Sequence, residues 1–254
     1  MHDFYYNNIS LSSFGGRLLQ PPTHTIAKRN KSFAKIYGQS GDEVIDNESY
    51  DNVKFKLKIC FMPYIAQQSA QSLAYAVINW LAPLQDKYYV YRDTVNPDHF
   101  TYAVLTNFDQ IVRELPTLLT TTLEFNRVPF WYRDDGTTEI QLASAATDNT
   151  ITNPTLFDSE PLYKFYYFRL ADNESAEITV NGLTTIAPLP LPNKNYYFDN
   201  ALKQMYVITN GQKNYVGTAL LPNLIPGVNT VRYKLNNLIS GSFYMTVTPN
   251  WRRL

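Results

Sequence analysis

The sequence lacks what a disulfide-linked, secreted or membrane-spanning protein needs. Its single cysteine, Cys60, excludes an internal disulfide, and its place at the end of an alternating strand predicts a buried, unreactive thiol. No apolar run approaches the roughly 20 residues that cross a bilayer, so no membrane partner is expected. The N-terminus has no basic start followed by an apolar run, which excludes a secretory signal. We therefore expect synthesis and folding in a cytoplasm.

Charge is also scarce, and the two signs are balanced. The 22 basic and 22 acidic residues give a formal net charge of zero, and charged residues make up only 17% of the 254 residues, against about 25% in average domains. Nucleic-acid-binding proteins usually carry a basic excess, so no specific nucleic-acid partner is predicted. Aromatic residues reach 15%, with 20 tyrosines, a residue type favoured at protein interfaces. This composition indicates a surface that is covered in an assembly.

No group of residues has the pattern of a catalytic or metal site. His2, His24 and His99 are scattered and have neither zinc-ligand spacing nor a Ser-His-Asp context. The Asp-Asp-Gly turn at 134–136 lacks the further acids of a calcium loop. Residues 38–41 lack the Lys-Ser/Thr of a phosphate loop, and no carboxylate pair stands in the context of a glycoside hydrolase. We predict no enzyme activity, no catalytic or metal-binding residues and no cofactor.

The N-terminal part predicts an α+β domain organised around a hairpin at residues 33–61. Residues 53–59 (VKFKLKI) alternate strictly between apolar side chains and lysines, as a strand with one buried face requires. A weaker strand is predicted at 33–37, and an acidic, glycine-punctuated turn region separates the two. Residues 65–82 have the apolar spacing of a helix that ends before Pro83. Further short strands are predicted at residues 4–9, 88–92, 100–105 and 118–125.

The character of the sequence changes near residue 135. Residues 136–153 are rich in Thr, Ser, Ala and Asn and are interpreted as a linker, although residues 139–142 can begin a strand. Beyond them, Asn-Gly turns at 181–182 and 210–211 separate short alternating segments and predict hairpins. Strands are predicted at residues 163–170, 176–180, 183–186, 196–198, 204–209, 229–235 and 241–249. The fold class is therefore mainly β, with domains at 1–135 and 136–254 and a β-sandwich or jelly roll in the second.

A series of short motifs runs along nearly the whole chain. The N-terminal half has FYYNNISLSSFGG, the turn KIYGQSGD, a helix closing on NWL, the strand YYVYR and the ending LEFNRVPFWY. The C-terminal half has ITVNG, YYFDNALKQMY, LIPGVNTVRYKLN and TVTPNWRRL. Each motif is short, but their order and spacing together resemble the distal tail protein (Dit) family of long-tailed phages, especially those that infect Gram-positive bacteria.

The resemblance implies a virion structural protein at the tail tip. Family members form homo-hexameric rings, which can stack, and they join the tail tube protein to the tail-associated lysin or tail fibre protein. A receptor-binding protein can attach at the periphery. The N-terminal domain makes the ring through a hairpin that embraces the next subunit as a belt, and the C-terminal domain is a galectin-like sandwich that points outward. The expected location is the virion tail tip, after synthesis in the host cytoplasm.

The belt hypothesis assigns charged and aromatic residues of the predicted hairpin to the subunit interface. A closed ring needs two different surfaces that meet at each junction, and blocks of opposite charge can pair across it. The assigned residues are Lys35, Tyr37, Asp42, Glu43, Asp46, Glu48, Lys54, Lys56 and Lys58. On this hypothesis, reversing Asp42, Glu43 and Asp46 to lysine impairs ring formation and leaves the fold intact.

The aromatic residues leave a second function open, a carbohydrate-binding β-sandwich that contacts host cell-wall glycans. Phe130, Trp131 and Tyr132 are interpreted as interdomain packing, with a sugar-stacking platform as the alternative. The same choice between packing and sugar binding applies to a set of C-terminal tyrosines, which we assign to core or interface. These are Tyr163, Tyr166, Tyr167, Tyr196 and Tyr197.

Overall fold

The computed structural model describes residues 2–23, 25–108, 110–143, 146–168, 174–191, 193–218, 221–236 and 242–254. His24, the side chain of Tyr167 and the predicted strand ends at 169–170 and 241 lie outside the described residues. The chain divides into two compact units, residues 1–131 with Leu254 and residues 132–253. In the described part of the chain, no helix is long and apolar enough to cross a membrane.

The first unit combines antiparallel strands with two α-helices. Its strands are β1 (Phe4–Tyr6), β2 (Ile9–Ser10), β3 (Gly16–Leu18), β4 (Arg29–Lys35), β5 (Asp42–Tyr50), β6 (Val53–Phe61), β7 (Tyr89–Asp93), β8 (His99–Phe108), β9 (Val112–Leu115), β10 (Leu118–Arg127) and the start of β11 (Trp131–Arg133). Its α-helices are α1 (Pro63–Ala66) and α2 (Ala70–Leu81), and short 3-10 helices lie at Leu11–Phe14 and Ala82–Gln85. The main sheet follows the order β2-β1-β7-β8-β10-β6-β3, and β9 pairs with β10.

The core of the first unit lies between this sheet and α2. β6 buries the apolar side of its alternating pattern, so that Leu57 lies opposite Leu123 and Phe55 opposite Phe125. The Phe125 ring stacks on Phe55 at a centroid distance of 5.3 Å and meets the edge of Tyr6 at 5.1 Å. Helix α2 contributes buried apolar side chains from one face, at three- and four-residue spacing: Leu73, Val77, Trp80 and Leu81. The strand pattern of residues 53–59 is therefore confirmed.

The helix predicted at 65–82 is interrupted. Helix α1 ends at Ala66, because Gln67 adopts the left-handed conformation with φ 53° and ψ 37°. Helix α2 begins at Ala70, where the Ser69 side chain accepts a hydrogen bond of 3.1 Å from the backbone N–H of Ser72. Serine is favoured at a helix N-cap and not in a helix interior, which explains the restart.

The predicted pairing within residues 33–61 is wrong. The acidic segment is not a turn, because it forms β5 and pairs with β4 from Lys35–Asp42 to Arg29–Tyr50. The turn is shorter and spans residues 36–41, where Gly38 and Gly41 have φ angles of 87° and 103°. The strand that carries the three lysines is β6, which lies between β3 and β10 in the main sheet. A strand with one fully apolar face is drawn into a core, whereas β4 and β5 lack such a face.

The second unit is a β-sandwich. Its strands are β12 (Ile140–Gln141), β13 (Asn149–Asn153), β14 (Leu162–Phe168), β15 (Glu174–Val180), β16 (Leu183–Leu189), β17 (Asn195–Asp199), β18 (Gln204–Thr209), β19 (Gln212–Gly217), β20 (Gly227–Asn236), β21 (Ser242–Thr248) and β22 (Arg252–Arg253). One sheet has the order β12-β21-β14-β17-β18-β19 and the other β13-β20-β15-β16. Both sheets contribute to one apolar core, for example Phe165 and Phe198 from the first and Ile178 from the second. The mainly β fold class is confirmed.

Local turn signals correctly located two hairpins of this unit. Asn181-Gly182 joins β15 to β16 with φ angles of 51° and 82°, and Asn210-Gly211 joins β18 to β19 with 53° and 76°. Positive φ at both central residues is what a type I′ hairpin turn requires.

The linker interpretation of residues 136–153 is wrong, because this segment contains β12 and β13. The buried Asn149 amide accepts from the backbone of Ala143 at 2.6 Å and donates to the carbonyl of Val231 at 3.3 Å, so polar composition here serves strand pairing.

Gly136 is expected to be intolerant of any side chain. An added Cβ would lie 2.5 Å from the backbone nitrogen of Trp251 and 2.9 Å from its Cβ, and the Gly136 carbonyl accepts a hydrogen bond of 2.8 Å from Asn250. We expect Gly136→Ala to lower the free energy of unfolding by about 1–3 kcal/mol, because the backbone must shift. Urea denaturation followed by circular dichroism measures the change. Gly217→Ala is the matched control, because its added Cβ has open space within 4 Å, and equal losses in both variants would contradict the prediction.

Candidate subunit interface

The hairpin of β4 and β5 in the first unit, residues 29–50, is largely exposed, and we call it the arm. It is a separate two-stranded sheet, and within the described residues it pairs with no further strand. All side chains of β5 are exposed except that of Tyr50, which is half-buried, and those of β4 are exposed or half-buried. An isolated two-stranded ribbon is marginally stable in water. The arm therefore has surface on both faces for a partner.

The base of the arm is anchored on the first unit. The Tyr50 ring meets the edge of Phe130 at a centroid distance of 5.3 Å. Arg29 forms an ion pair with Asp46 and donates a hydrogen bond of 3.1 Å from Nη1 to the Tyr50 hydroxyl. Near the base the strand register shifts, and Glu48 adopts a φ of 52° while its N–H donates to Asp46 at 3.1 Å. These contacts determine where the arm leaves the unit.

The strand register places the basic and acidic blocks of the arm opposite each other. Lys31 lies across from Asp46, and Lys35 lies across from Asp42. The hydrogen bond from Arg29 holds the pKa of the Asp46 carboxyl below its usual range. Opposite charges on neighbouring strands attract each other. Charge pairing within the arm therefore competes with the predicted pairing across a subunit junction.

The arm also carries large apolar side chains that nothing covers. Phe33 lies directly opposite Val44, and their exposed fractions are 66% and 54%. Because paired residues of antiparallel strands share a face, this apolar pair stands between the two charged pairs described above. Ile45 is exposed on the opposite face, and Tyr37 is fully exposed in the turn. Exposed apolar surface of this kind makes the arm a candidate contact site.

The lysines of β6 lie outside the arm. Lys54, Lys56 and Lys58 project from the side of β6 that faces away from the core, and Lys56 forms an ion pair with Glu124 on the neighbouring strand β10. Cys60 ends the same row and is buried, which confirms the predicted burial and raises the pKa of its thiol. The interface residues assigned from sequence thus divide into an arm set, residues 35–48, and a separate set on the outer face of the main sheet.

Phe130 and Trp131 pack inside the first unit. The Phe130 carbonyl accepts a hydrogen bond of 2.8 Å from Thr101 Oγ1. The Trp131 ring lies 5.4 Å from the Arg127 guanidinium. Tyr132 begins the second unit. Packing of these aromatic residues between the units stays a prediction.

Arg127 is a structural residue that the sequence pattern did not single out. It is only 4% exposed, and it donates to the carbonyls of Thr25, Val128 and Pro129 at 2.7–2.9 Å. Burial lowers the pKa of Arg127 to about 10. The alternation of β10 could have identified Arg127, because it is the last residue of the strand and stands at a position that the pattern buries, where an apolar residue is expected. Arg127 ties together the loops beside the arm.

The tyrosines of the second unit divide between core and surface. Tyr163 and Tyr196 are fully buried in the sandwich. The hydroxyl of Tyr163 donates to the carbonyl of Pro222 at 2.9 Å, and that of Tyr196 donates to the carbonyl of Leu191 at 2.8 Å. These two residues are therefore core residues.

Tyr166 and Tyr197 lie on the outer face of the six-stranded sheet. Tyr166 stacks on Tyr244 at 4.1 Å, and Tyr197 stacks on Tyr206 at 5.1 Å. The Lys164 ammonium lies 4.2 Å from the centroid of Tyr166. Carbohydrate stacking needs an open aromatic face, and neighbouring side chains occupy faces of both rings. This geometry favours a protein contact through ring edges and hydroxyls over sugar binding.

The helices of the first unit present a further apolar surface. From Ile59 to Gln85 the sequence has no charged residue. Within this stretch four large apolar side chains are exposed on α1 and α2, which we call the helical patch: Tyr64, Ile65, Tyr75 and Ile78. Among the described residues, no cluster of His, Cys, Asp and Glu could hold a metal ion.

Comparison with known proteins locates this fold among phage tail proteins. No protein-family model and no curated protein sequence matches the chain. The crystal structure of the Dit protein of phage SPP1, described as a paradigm of the hub adsorption apparatus in phages that infect Gram-positive bacteria, matches with a TM-score of 0.66 and 14% identity over 100% of both chains. A chain of the phage P2 baseplate, in its activated conformation with Ca, matches with a TM-score of 0.52 and 9% identity over 97% of this chain and 98% of that one. The chain has the fold of these proteins over essentially its full length.

Proposed function

We propose that the protein is a structural component of a phage tail tip, where it assembles as a hexameric ring. The observation that carries this proposal is the fold match to the SPP1 Dit protein over the whole of both chains. Because the match includes both units, it supports a hub protein more than a free-standing carbohydrate-binding sandwich. The ring joins the tail tube protein to the tail-associated lysin or tail fibre protein. Receptor-binding proteins attach at its periphery.

The arm supplies the element that closes the ring. A cyclic assembly needs a heterologous interface, in which one patch meets a different patch on the next copy. The arm exposes Phe33, Val44 and Ile45 on its two faces, so an isolated chain leaves this apolar surface in water. Packing the arm on a neighbour buries it and stabilises a ribbon that is weak on its own.

The second unit supplies attachment surface. Its outer sheet face carries stacked tyrosines with Lys164 and Lys213 placed over the rings of Tyr166 and Tyr206. Tyrosine-rich surface with few charges is typical of protein interfaces. We therefore assign peripheral protein partners to this unit, and the proposed function includes no catalytic step.

We expect the purified full-length chain to form a discrete ring with six times the 29.2 kDa mass of one copy. The physical reason is the unpaired apolar surface of the arm, which only a closed assembly covers on every copy. Sedimentation velocity measures the mass, and negative-stain electron microscopy shows the ring. A protein that remains monomeric as its concentration is raised would contradict the proposal, as would binding of the full-length monomer to cell-wall glycans without assembly.

A further inference from the structure

Helix α2 lacks the charged outer face that a surface helix normally has. Its buried face is apolar, and its exposed positions include Gln71, Tyr75, Ile78 and Asn79, none of which is charged. Surface helices usually place charged residues opposite the core, whereas the exposed positions of α2 are uncharged polar or apolar residues. Tyr75 is 59% exposed in the single chain. Tyr75 and Ile78, three residues apart on α2, therefore offer exposed apolar surface that a second molecule can cover.

Helix α1 contributes two more exposed apolar side chains. It packs beside α2 and adds Tyr64 and Ile65, with Tyr64 66% exposed. The helical patch thus combines two aromatic and two aliphatic side chains within a stretch that carries no formal charge. Large exposed apolar side chains on neighbouring helices are candidates for a protein contact.

The tip of the arm is uncharged, as the helical patch is. Residues 36–41 (IYGQSG) are uncharged, whereas the strands on either side carry several charges. Tyr37 is fully exposed, and an added Cβ on Gly38 or Gly41 would have open space around it. Seating the charged strands on the uncharged helical patch would take charged side chains out of water, which is costly even where they are paired. Seating the tip there buries apolar side chains on both sides.

We propose that the tip of the arm of one copy docks on the helical patch of the next copy. This inference rests on the proposed function, because it names the surface that receives the arm. Tyr37 and Tyr75 are both exposed within a single chain, so neither covers the other in the same copy. The tip and the patch are different surfaces, and repeating their contact from copy to copy closes a ring.

Disulfide cross-linking tests the contact. In a Cys60→Ser background, we expect the double variant Tyr37→Cys/Tyr75→Cys to give a ladder of covalent oligomers after mild oxidation, and each single variant to give none. A disulfide forms only where the two Cα atoms come within about 4.4–6.8 Å. Tyr37→Cys/Tyr215→Cys is the control pair, because Tyr215 is exposed on the second unit. A ladder from Tyr37→Cys/Lys56→Cys and none from the Tyr75 pair would move the receiving surface to the lysines of β6 and overturn the inference.

A charge substitution gives an independent readout. We expect Ile78→Lys to weaken ring assembly about tenfold or more, because the patch must then bury an ammonium group. Ile186→Lys, at an exposed isoleucine of the second unit, should leave assembly unchanged. If the parent chain forms rings but neither cross-link nor Ile78→Lys behaves as expected, the docking inference fails and the proposed function stands. If the parent chain does not assemble, the proposed function itself fails.

Discussion

Replacing Phe33 and Val44 together by serine is expected to abolish ring assembly at micromolar concentration while both units stay folded. The two side chains lie opposite each other on one face of the arm and are 66% and 54% exposed, so they contribute little to the core. Covering a large apolar side chain contributes about 1.5–3 kcal/mol, and losing two at each junction weakens it on the order of 100-fold or more. Sedimentation velocity measures the loss of the ring.

The matched control for this variant changes the same kind of side chain elsewhere. Leu183 and Ile186 are both largely exposed, on β16 of the second unit, and their joint replacement by serine should leave assembly intact. Thermal unfolding should be unchanged in both double variants. Rings that persist without Phe33 and Val44 would show that this face of the arm lies outside the junction. The charge reversal of Asp42, Glu43 and Asp46 is less decisive, because it also breaks the ion pair of Asp46 with Arg29 inside the arm.

Raising the pH above 10 is expected to unfold the protein steeply. Burial raises the pKa of Tyr6 to about 12 and also raises the pKa of Tyr163, Tyr196 and Tyr233. An unfolded tyrosine loses its proton near 10, so above that pH the folded state holds more protons than the unfolded state. Stability from these groups is complete below pH 10 and falls as the pH rises towards their folded pKa values.

The size of this effect follows from the number of groups. Each buried tyrosine removes up to about 1.4 kcal/mol of stability per pH unit above 10. Several together therefore remove much of the roughly 5–15 kcal/mol that stabilises a typical domain. Arg127 acts in the opposite direction, because burial lowers its pKa to about 10 and its folded form loses its proton first. One arginine does not offset several tyrosines.

Tyrosinate absorbance and far-ultraviolet circular dichroism, recorded together as the pH is raised, test the alkaline transition. A first rise of tyrosinate absorbance is expected near pH 10, the ordinary range of a solvent-exposed tyrosine, without loss of far-ultraviolet circular dichroism. A second absorbance step should then coincide with loss of the circular dichroism signal. Tyr6→Phe removes one titrating group and should raise the midpoint of that step, although it loses the hydrogen bond of 2.9 Å to the carbonyl of Leu84. Complete tyrosine titration near pH 10 with the fold intact would contradict the prediction.

Local sequence patterns determined most of the strands and the class of the fold. The alternation at residues 53–59 identified β6, because one apolar face per strand is a property of the strand alone. The Asn-Gly turns identified the hairpins β15–β16 and β18–β19, since positive φ at both turn residues is a local steric requirement. The ordered motifs indicated the distal tail fold, which the match over the full chain length confirms. None of these inferences needed a long-range contact.

Only the tertiary structure decided which strands pair and which surfaces remain uncovered. Residues 42–50 are rich in acids and look like a turn, yet they form β5 because Arg29, Lys31 and Lys35 lie opposite them. Pairing across strands depends on residues distant in sequence, and an alternating pattern shows that a strand has a buried face without showing its neighbour. The same holds for the helical patch, where apolar spacing cannot distinguish the side chains that face the sheet from those left in water. The arm and the helical patch, on which the proposed contact between copies rests, could be recognised only in the structure, because only there is it decided which apolar residues the core buries.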